Sequence, residues 1–159
     1  MQIVQEYARW NRIAITDVIR EHMRLKSYMD FETVHNYIDT YDMILRKGAV
    51  AAYKSQPLLI PINMRDGSLL CWGKGSSDWN YSAPHGAGRL MSRTKARETF
   101  SLDEFAKSMA DIYTTSVGYE TLDECPMAYK PIDSIINNIG DTVEIKRIIR
   151  PIYNFKAGD

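Results

Sequence analysis

A glycine-rich segment at residues 73–89 constrains the fold of this 159-residue chain more than any other part of the sequence. It holds four of the nine glycines, yet it also carries the aromatic residues Trp79 and Tyr81, with Trp72 at its edge. A flexible linker is rich in Gly and Ser but poor in aromatic side chains. The mixture therefore predicts an ordered loop that carries function, with regular structure on either side of it.

Before this loop, the pattern predicts one long helix followed by short strands. Apolar residues recur at helical spacing over 2–24, and no Pro or Gly interrupts them, which predicts a helix. The other elements predicted here are a connector at 26–33, extended segments around 33–38 and 43–50, a short strand or extended loop between Pro57 and Pro61, and a strand at 68–72 after the Asp66-Gly67 turn.

After the loop, the sequence predicts two helices and a final strand. The capping box Ser101-Leu-Asp-Glu104 opens a helix that runs to about Val117, with Gly118 as its C-cap. Pro131 opens a shorter helix that Gly140 ends, and 142–155 alternates as a strand with Pro151 at an edge or bulge. We therefore expect a single α+β domain, a mixed sheet with flanking helices.

The charge balance limits how the chain could bind a polyanion. Twenty Lys and Arg residues match twenty Asp and Glu residues, so a nucleic-acid binder would need a local basic cluster. No apolar run approaches the roughly 18 residues of a membrane span, and the N-terminus lacks a signal-peptide pattern, so no membrane contact is expected. Two distant cysteines, Cys71 and Cys125, favour a reducing cytoplasmic location.

His85 offers the most specific chemistry in the chain. It precedes Gly-Ala-Gly at 86–88, where small residues allow close approach of a ligand and successive N–H groups can hold an anion. Arg89 and Arg93 add bidentate phosphate donors. A neutral imidazole beside such a cradle can bind phosphate, act as an acid or base, or attack phosphorus. The alternative is a glycine-rich turn with a capping histidine.

Other polar residues are ambiguous when taken alone. His22 lies among charges and is predicted at the surface, and His35 fits a core histidine that donates one hydrogen bond. Arg46 and Lys47 fit a solvated strand end, or a positive patch together with four basic residues after His85, which are Arg89, Arg93, Lys95 and Arg97.

Two further residues beside the predicted turn are equally open. Asn63 and Ser68 flank the Asp66-Gly67 turn, and they could either form it or hydrogen-bond a base. Lys156 is expected to be solvated because it lies almost at the terminus.

The segment His-Gly-Ala-Gly-Arg-Leu-Met-Ser-Arg at 85–93 is similar to the signature of the RtcB-type RNA-splicing ligases. Further matches follow in the family's order: Asn-Arg at 11–12, His-Asn at 35–36, Arg-Lys-Gly-Ala at 46–49, Ile-Pro-Ile-Asn-Met at 60–64, Ala-Tyr-Lys at 128–130 and Lys-Ala-Gly at 156–158. Family members are much longer, so residues 1–159 resemble the single C-terminal catalytic portion of the RtcB-like fold.

The resemblance implies an enzyme that joins RNA ends in tRNA splicing or RNA repair. Such a ligase joins a 2′,3′-cyclic-phosphate or 3′-phosphate end to a 5′-hydroxyl end, with GTP and manganese. His85 would attack the α-phosphorus of GTP and carry GMP, which then passes to the RNA 3′-phosphate. Attack by the 5′-hydroxyl displaces GMP and seals the strand.

The resemblance also implies roles for other positions. His35 matches the family's metal-binding histidine. Arg46, Lys47, Arg89 and Arg93 match contacts to phosphate or RNA. The positions that match nucleotide contacts are Asn36, Pro61, Ile62, Asn63, Met64, Ser68, Gly86, Ala87, Gly88, Tyr129 and Lys156, of which the last two would close over the guanine.

The chain departs from the family in two ways. Ile62 and Asn63 replace the small residues of a Pro-Gly-Ser-Met motif, and Leu45 stands where a histidine is common. The family's other metal ligands lie in the N-terminal part, and this chain has no Asp-X-X-Cys motif. We therefore expect the missing N-terminal half to be a partner and the chain alone to ligate poorly, with an exposed apolar face that favours self-association. The alternative is an inactive fragment that only binds guanine nucleotide or RNA.

Overall fold

The structure, a computed structural model, describes residues 1–156 and begins with the predicted long helix. Helix α1 (Gln2–Met23) ends at Arg24, whose φ of 52° places it in the left-handed region that closes many helices. No residue of α1 is buried, and Ile3, Tyr7 and Trp10 are exposed. Side-chain bonds tie the helix to the residues that follow it. Oε1 of Gln5 accepts from the N–H of Ile38 at 3.0 Å, and Arg12 donates to Glu32 at 2.8 Å. Apolar side chains of α1 are thus exposed, and self-association of the chain stays a prediction.

Two three-stranded antiparallel sheets follow, each closed by a strand from later in the chain. The first sheet contains β1 (His35–Asp39), β2 (Ile44–Ala51) and β5 (Ser82–Pro84) in that order. The second contains β3 (Pro57–Asn63), β4 (Gly67–Gly73) and β7 (Val143–Ile149). A short parallel pair, β6 (Tyr113–Thr114) with β8 (Tyr153–Asn154), ties the C-terminal segment to the helical part. The α+β class is thereby confirmed.

The main core is built from apolar residues at every second position of β3 and β4. Leu58, Ile60 and Ile62 point inward from β3, and Leu69 and Cys71 do so from β4, all with 3% exposure or less. Side chains two residues apart lie on the same face of a strand, so each strand lines the core with one of its faces. Because β3 is thereby fixed, Pro61 and Asn63 are held at the opposite face of the same strand.

A second core lies under the helices that follow the glycine-rich segment. Phe105, Met109, Leu122 and Cys125 are buried there with Ala96. The helices are α2 (Arg93–Thr99), which the sequence prediction missed, and α3 (Leu102–Ser108), which opens with the predicted capping box.

The predicted helix from 101 to about Val117 is wrong, because α3 ends at Ser108 and 113–114 form a strand. The run Ile-Tyr-Thr-Thr at 112–115 is rich in β-branched and aromatic residues, which favour extended backbone. Gly118 is not a C-cap: its φ of −163° is extended, and it precedes a 3₁₀ segment, Tyr119–Glu124.

The C-terminal predictions need smaller corrections. Helix α4 (Ile132–Ile136) starts after Pro131 as predicted but ends well before Gly140. The predicted strand 142–155 is two strands, because Pro151 has no N–H to donate and the chain changes partner from β4 to β6 there. Within residues 1–156, no helix is both long and apolar enough to cross a membrane.

Candidate active site at the glycine-rich loop

The glycine-rich segment is ordered, and it delivers His85 to the end of the first sheet. A 3₁₀ turn at Ser77–Trp79 is followed by β5, which pairs with β2 through Ala49 opposite Pro84. This register places His85, the next residue, beside Gly48. The position of the histidine is therefore set by backbone pairing rather than by a flexible loop.

One hydrogen bond defines the state of the His85 imidazole. Its Nδ1 lies 2.7 Å from the carbonyl oxygen of Gly48. A carbonyl can only accept, so this bond assigns the proton of the neutral ring to Nδ1 and leaves the lone pair on Nε2. The ring also stacks on His35, with centroids 5.0 Å apart and an angle of 24° between the planes. The half-buried His85 thus presents one nucleophilic nitrogen.

The residues around His85 are fixed by further backbone contacts. Asn36, with a φ of 58°, accepts from the N–H of Gly48 at 2.8 Å through its side-chain oxygen. The N–H of Ala87 donates to the carbonyl of Pro61 at 3.0 Å, and a Cβ at Gly86 would come within 3.1 Å of that same oxygen. The loop that carries the histidine therefore packs directly against β3, and Gly86 is needed for that approach.

A cleft of about 810 Å³ opens at this loop, between the two sheets and the helical part. The residues predicted from the sequence that line it are His35, Pro61, Ile62, Asn63, Met64, Ser68, His85, Gly86, Ala87, Gly88, Arg89, Arg93, Tyr129 and Lys156. Positions from six separate stretches of sequence converge there, which suits a ligand of nucleotide size.

The floor of the cleft carries a network of charges. Asp123, with 1% of its side chain exposed, accepts from Arg93 at 3.1 Å and from two nitrogens of Arg97 at 2.9 and 3.1 Å. Glu124 pairs with Arg89 at 3.3 Å and with Lys156 at 3.1 Å. Of these charged groups, three cations and one carboxylate line the cleft itself: Arg89, Arg93, Lys156 and Glu124. The excess positive charge in the cleft favours an anionic ligand.

Tyr129 completes this network. Its hydroxyl donates to Glu124 and accepts from Arg89 at 2.9 Å, and the Arg89 guanidinium lies over its ring at 5.0 Å. Burial, followed by the bond to Glu124, raises the pKa of Tyr129 to about 12. Burial alone would raise the pKa of Glu124, but the bonds from Tyr129 and Lys156 outweigh it and lower that pKa. Both groups therefore keep their ordinary protonation states at neutral pH.

The family model described as "tRNA-splicing ligase RtcB" matches residues 1–157 of this sequence. The chain belongs to the RtcB family. It is 32% identical over 153 residues to the RNA-splicing ligase RtcB of Escherichia coli K12, covering 91% of this chain and 37% of the relative. It is 31% identical over 192 residues to the tRNA-splicing ligase RtcB of Aeropyrum pernix, covering 96% of this chain and 40% of the relative. The chain therefore spans less than half the length of these RtcB relatives.

Three of the site residues predicted from the sequence do not line the cleft. Asn36 lies behind His85, where it holds Gly48. Lys47 is exposed on β2 outside the cleft lining. Arg46 has only 1% of its surface exposed and is bonded within the first sheet, so its position does not support a contact to phosphate or RNA.

Two of the predicted polar residues make structural contacts, and one of them, Asn63, also lines the cleft. The amide of Asn63 caps the turn at 63–66, since its Oδ1 accepts from the N–H of Arg65 and of Asp66 and its Nδ2 donates to Asp66. Of the basic residues grouped with His85 from the sequence, Arg97 holds Asp123 and is not part of the cleft lining.

Sequence reasoning missed Asp123 and Glu124, the residues that hold the cations in place. They lie between Leu122 and Cys125, which are both buried. Two adjacent acids inside an otherwise apolar stretch are the signal that could have identified them, because a buried carboxylate needs a cationic partner.

Manganese, which RtcB membership implies, finds only part of a site here. His35 offers one exposed imidazole. Residues 1–156 contain no group of three His, Cys, Asp or Glu side chains that could hold a metal ion. A manganese site normally combines several oxygen and nitrogen ligands. The described residues do not fit manganese by themselves, so binding at His35 stays a prediction.

Proposed function

We propose that this chain is the C-terminal catalytic portion of an RNA ligase that joins a 2′,3′-cyclic-phosphate or 3′-phosphate end to a 5′-hydroxyl end, using GTP. The observation that carries the proposal is the 2.7 Å bond from His85 Nδ1 to Gly48, which leaves Nε2 unprotonated on a ring that lines the cleft. The names of the RtcB relatives, RNA-splicing and tRNA-splicing ligases, support the same activity.

In the first proposed step, His85 Nε2 attacks the α-phosphorus of GTP. A P–N bond forms, the bond to the bridging oxygen breaks, and pyrophosphate leaves with that electron pair. The imidazole becomes positively charged as the bond forms. The Gly48 carbonyl, which already accepts from Nδ1–H, stabilises this charge and keeps the ring oriented.

In the later steps, GMP moves from the histidine to RNA and is then displaced. A 2′,3′-cyclic end is first opened by water, which forms a new P–O bond, breaks the P–O2′ bond and leaves a 3′-phosphate with a free 2′-hydroxyl. An oxygen of the RNA 3′-phosphate then attacks the phosphorus on the histidine, which forms a P–O–P linkage and returns the electron pair to Nε2. The 5′-hydroxyl then attacks the RNA phosphate, GMP leaves, and a phosphodiester remains. Each step exchanges one bond at phosphorus, so no oxidant or reductant is required.

The cationic side chains of the cleft would bind the phosphates during these exchanges. Arg89 and Arg93 line the cleft immediately after the loop, and each can pair with phosphate oxygens in a bidentate manner. Lys156 and Tyr129 would close over the base, while Pro61 to Met64 and Ser68 would line the guanosine pocket. The remaining manganese ligands would come from the part of RtcB proteins that this chain does not cover.

The proposal is tested by incubating the chain with manganese and with GTP that carries a label on its α-phosphate. The assay is run with the chain alone and with the N-terminal portion of an RtcB relative added. We expect an acid-labile, base-stable adduct that His85→Ala abolishes and His22→Ala retains, since His22 is exposed on α1. An adduct that survives His85→Ala would exclude His85 as the nucleophile.

The same assay separates the alternatives. Nucleotide binding without any adduct would support a fragment that only binds guanine nucleotide or RNA. If neither binding nor an adduct is found, the glycine-rich loop only packs.

A further inference from the structure

Arg46 is the largest fully buried side chain of the described residues, and its guanidinium is bonded on every side. Nη1 donates to the hydroxyl of Tyr37 at 3.1 Å and to Asp39 at 3.3 Å, both on β1. Nη2 donates to the hydroxyl of Tyr53 at 3.3 Å, and the guanidinium lies over the rings of Tyr37 and Tyr53 at 5.5 and 5.3 Å. A buried charge with this many partners is held in one orientation.

The remaining Arg46 bonds reach the turn that leads to His85. Nε donates to the hydroxyl of Ser82 at 3.0 Å, and Nη2 approaches the carbonyls of Asn80 and Tyr81 at 3.4 Å. Asn80 and Tyr81 have φ of 48° and 51°, a left-handed conformation that costs a bulky residue such as Tyr free energy. Such a turn persists only where surrounding contacts hold it, and Arg46 supplies three of them.

Three segments that meet at Arg46 carry parts of the His85 environment. Strand β1 begins with His35, which stacks on the His85 ring, and Asn36, which holds Gly48. Strand β2, which carries Arg46 itself, provides the Gly48 carbonyl two residues later. The turn bound by the guanidinium enters β5, and His85 follows that strand directly.

We propose that Arg46 is a positioning residue for His85: it locks β1, β2 and the 80–82 turn together so that the imidazole keeps its bond to Gly48 and its unprotonated Nε2. This inference rests on the proposed function for its kinetic consequence, but the orientation and tautomer of the ring can be measured without any reaction. It also gives the Arg-Lys-Gly-Ala segment a role other than contact with RNA.

The test compares Arg46→Met, which keeps the length but removes the guanidinium, with the unmodified chain. Histidine labelled with ¹⁵N reports the tautomer at pH 8, and His22→Gln and His35→Gln assign the signals of the three histidines. We expect proton on Nδ1 of His85 in the unmodified chain and a mixture of tautomers in Arg46→Met. Formation of the GMP adduct should slow about a hundred-fold, as expected for a misplacement of about 1 Å.

Two further variants separate positioning from a general loss of stability. Ser82→Ala removes the Nε contact of Arg46, and with it the bond that the Ser82 hydroxyl donates to the Asn80 carbonyl at 2.8 Å within the same turn. It should slow adduct formation about ten-fold, the effect of one hydrogen bond to a charged group. Val143→Ala opens a buried position at the start of β7 and destabilises the fold, and Val143 takes part in none of the Arg46 hydrogen bonds. It should keep the Nδ1 proton of His85 and the adduct rate of the unmodified chain.

The possible outcomes are distinct. A folded Arg46→Met with an unchanged tautomer and an unchanged adduct rate overturns the proposal. If Arg46→Met does not fold, Ser82→Ala decides: an unchanged tautomer and rate there overturn it equally. If the unmodified chain forms no adduct even with the N-terminal portion of an RtcB relative added, the proposed function fails, and the tautomer comparison still decides whether Arg46 positions the ring.

Discussion

Replacing Asp123 with Asn tests whether the cations of the cleft are positioned or merely present. The carboxylate has 1% of its surface exposed and accepts three hydrogen bonds of 2.9 to 3.1 Å from Arg93 and Arg97. Asn has the same shape, so the substitution removes the charge without opening a cavity. The buried amide would then face three guanidinium ions without a compensating charge, because Arg89 also lies 3.7 Å from the Asp123 carboxylate.

The expected cost follows from these contacts. Removing one partner of a buried charge pair costs about 3–5 kcal/mol. Arg93 and Arg97 keep 63% and 45% of their side chains exposed, so both can recover water, which places the estimate at the low end. We expect Asp123→Asn to lose about 3 kcal/mol of unfolding free energy, or about 10 °C in Tm for a domain of this size.

Urea unfolding measures that loss, and Glu98→Gln is the matched control. Glu98 pairs with Lys95 at 3.7 Å on an exposed face, so its loss should cost less than about 0.5 kcal/mol. Calorimetric titration with GTP provides the second readout. If only the net positive charge of the cleft matters, Asp123→Asn should bind GTP more tightly. If Asp123 positions the arginines for the phosphates, the variant should bind GTP about ten-fold more weakly. An unchanged urea midpoint together with tighter binding would refute the reasoning.

Further predictions concern the backbone, the cysteines and acid stability. Gly48 has a φ of 67°, so Gly48→Ala should cost about 1 kcal/mol and slow adduct formation at His85, as urea unfolding and the GTP assay would detect. Burial raises the pKa of Cys71 to about 11 and also raises that of Cys125, so a thiol reagent should modify neither in the folded chain at pH 8. These raised values also mean that unfolding free energy declines as the pH rises above 9, the ordinary thiol value, because the unfolded chain releases its thiol protons first. Because the pKa of Glu124 is lowered in the folded chain, its carboxylate stabilises the fold at pH values above 4.5, the ordinary glutamate value, and this contribution is lost as the pH falls. In Glu124→Gln, the free energy of unfolding from urea titrations should therefore fall less steeply at acid pH.

Local patterns predicted the elements whose signals come from neighbouring residues. The apolar spacing of 2–24 and the capping box at Ser101 led to α1 and to the start of α3. The sequence marked Pro151 as an edge or bulge, but the end of α3 and the change of strand partner at Pro151 were missed because both depend on distant pairing. Residues 113–114 form a strand only because 153–154 lie beside them. Such long-range pairing leaves little trace in a single sequence.

The candidate site shows the same division. The glycines after His85 and the arginines that follow them predict a phosphate-binding loop. The resemblance to RtcB motifs added predicted site residues that are distant in sequence, and most of them line the cleft. Arg46 was misjudged because a charged residue in a strand is usually solvated. Only the three-dimensional neighbours Tyr37, Tyr53 and Ser82 reveal why this one is buried.

The site of attachment of GMP tests the central claim most directly. Phosphorus and nitrogen NMR of the ¹⁵N-histidine chain after reaction with GTP identifies which ring nitrogen carries phosphorus. Since Gly48 holds Nδ1 of His85 at 2.7 Å, the account predicts a single phosphoramidate on Nε2. GMP found on Nδ1 of His85, on His35 or on a lysine would contradict it.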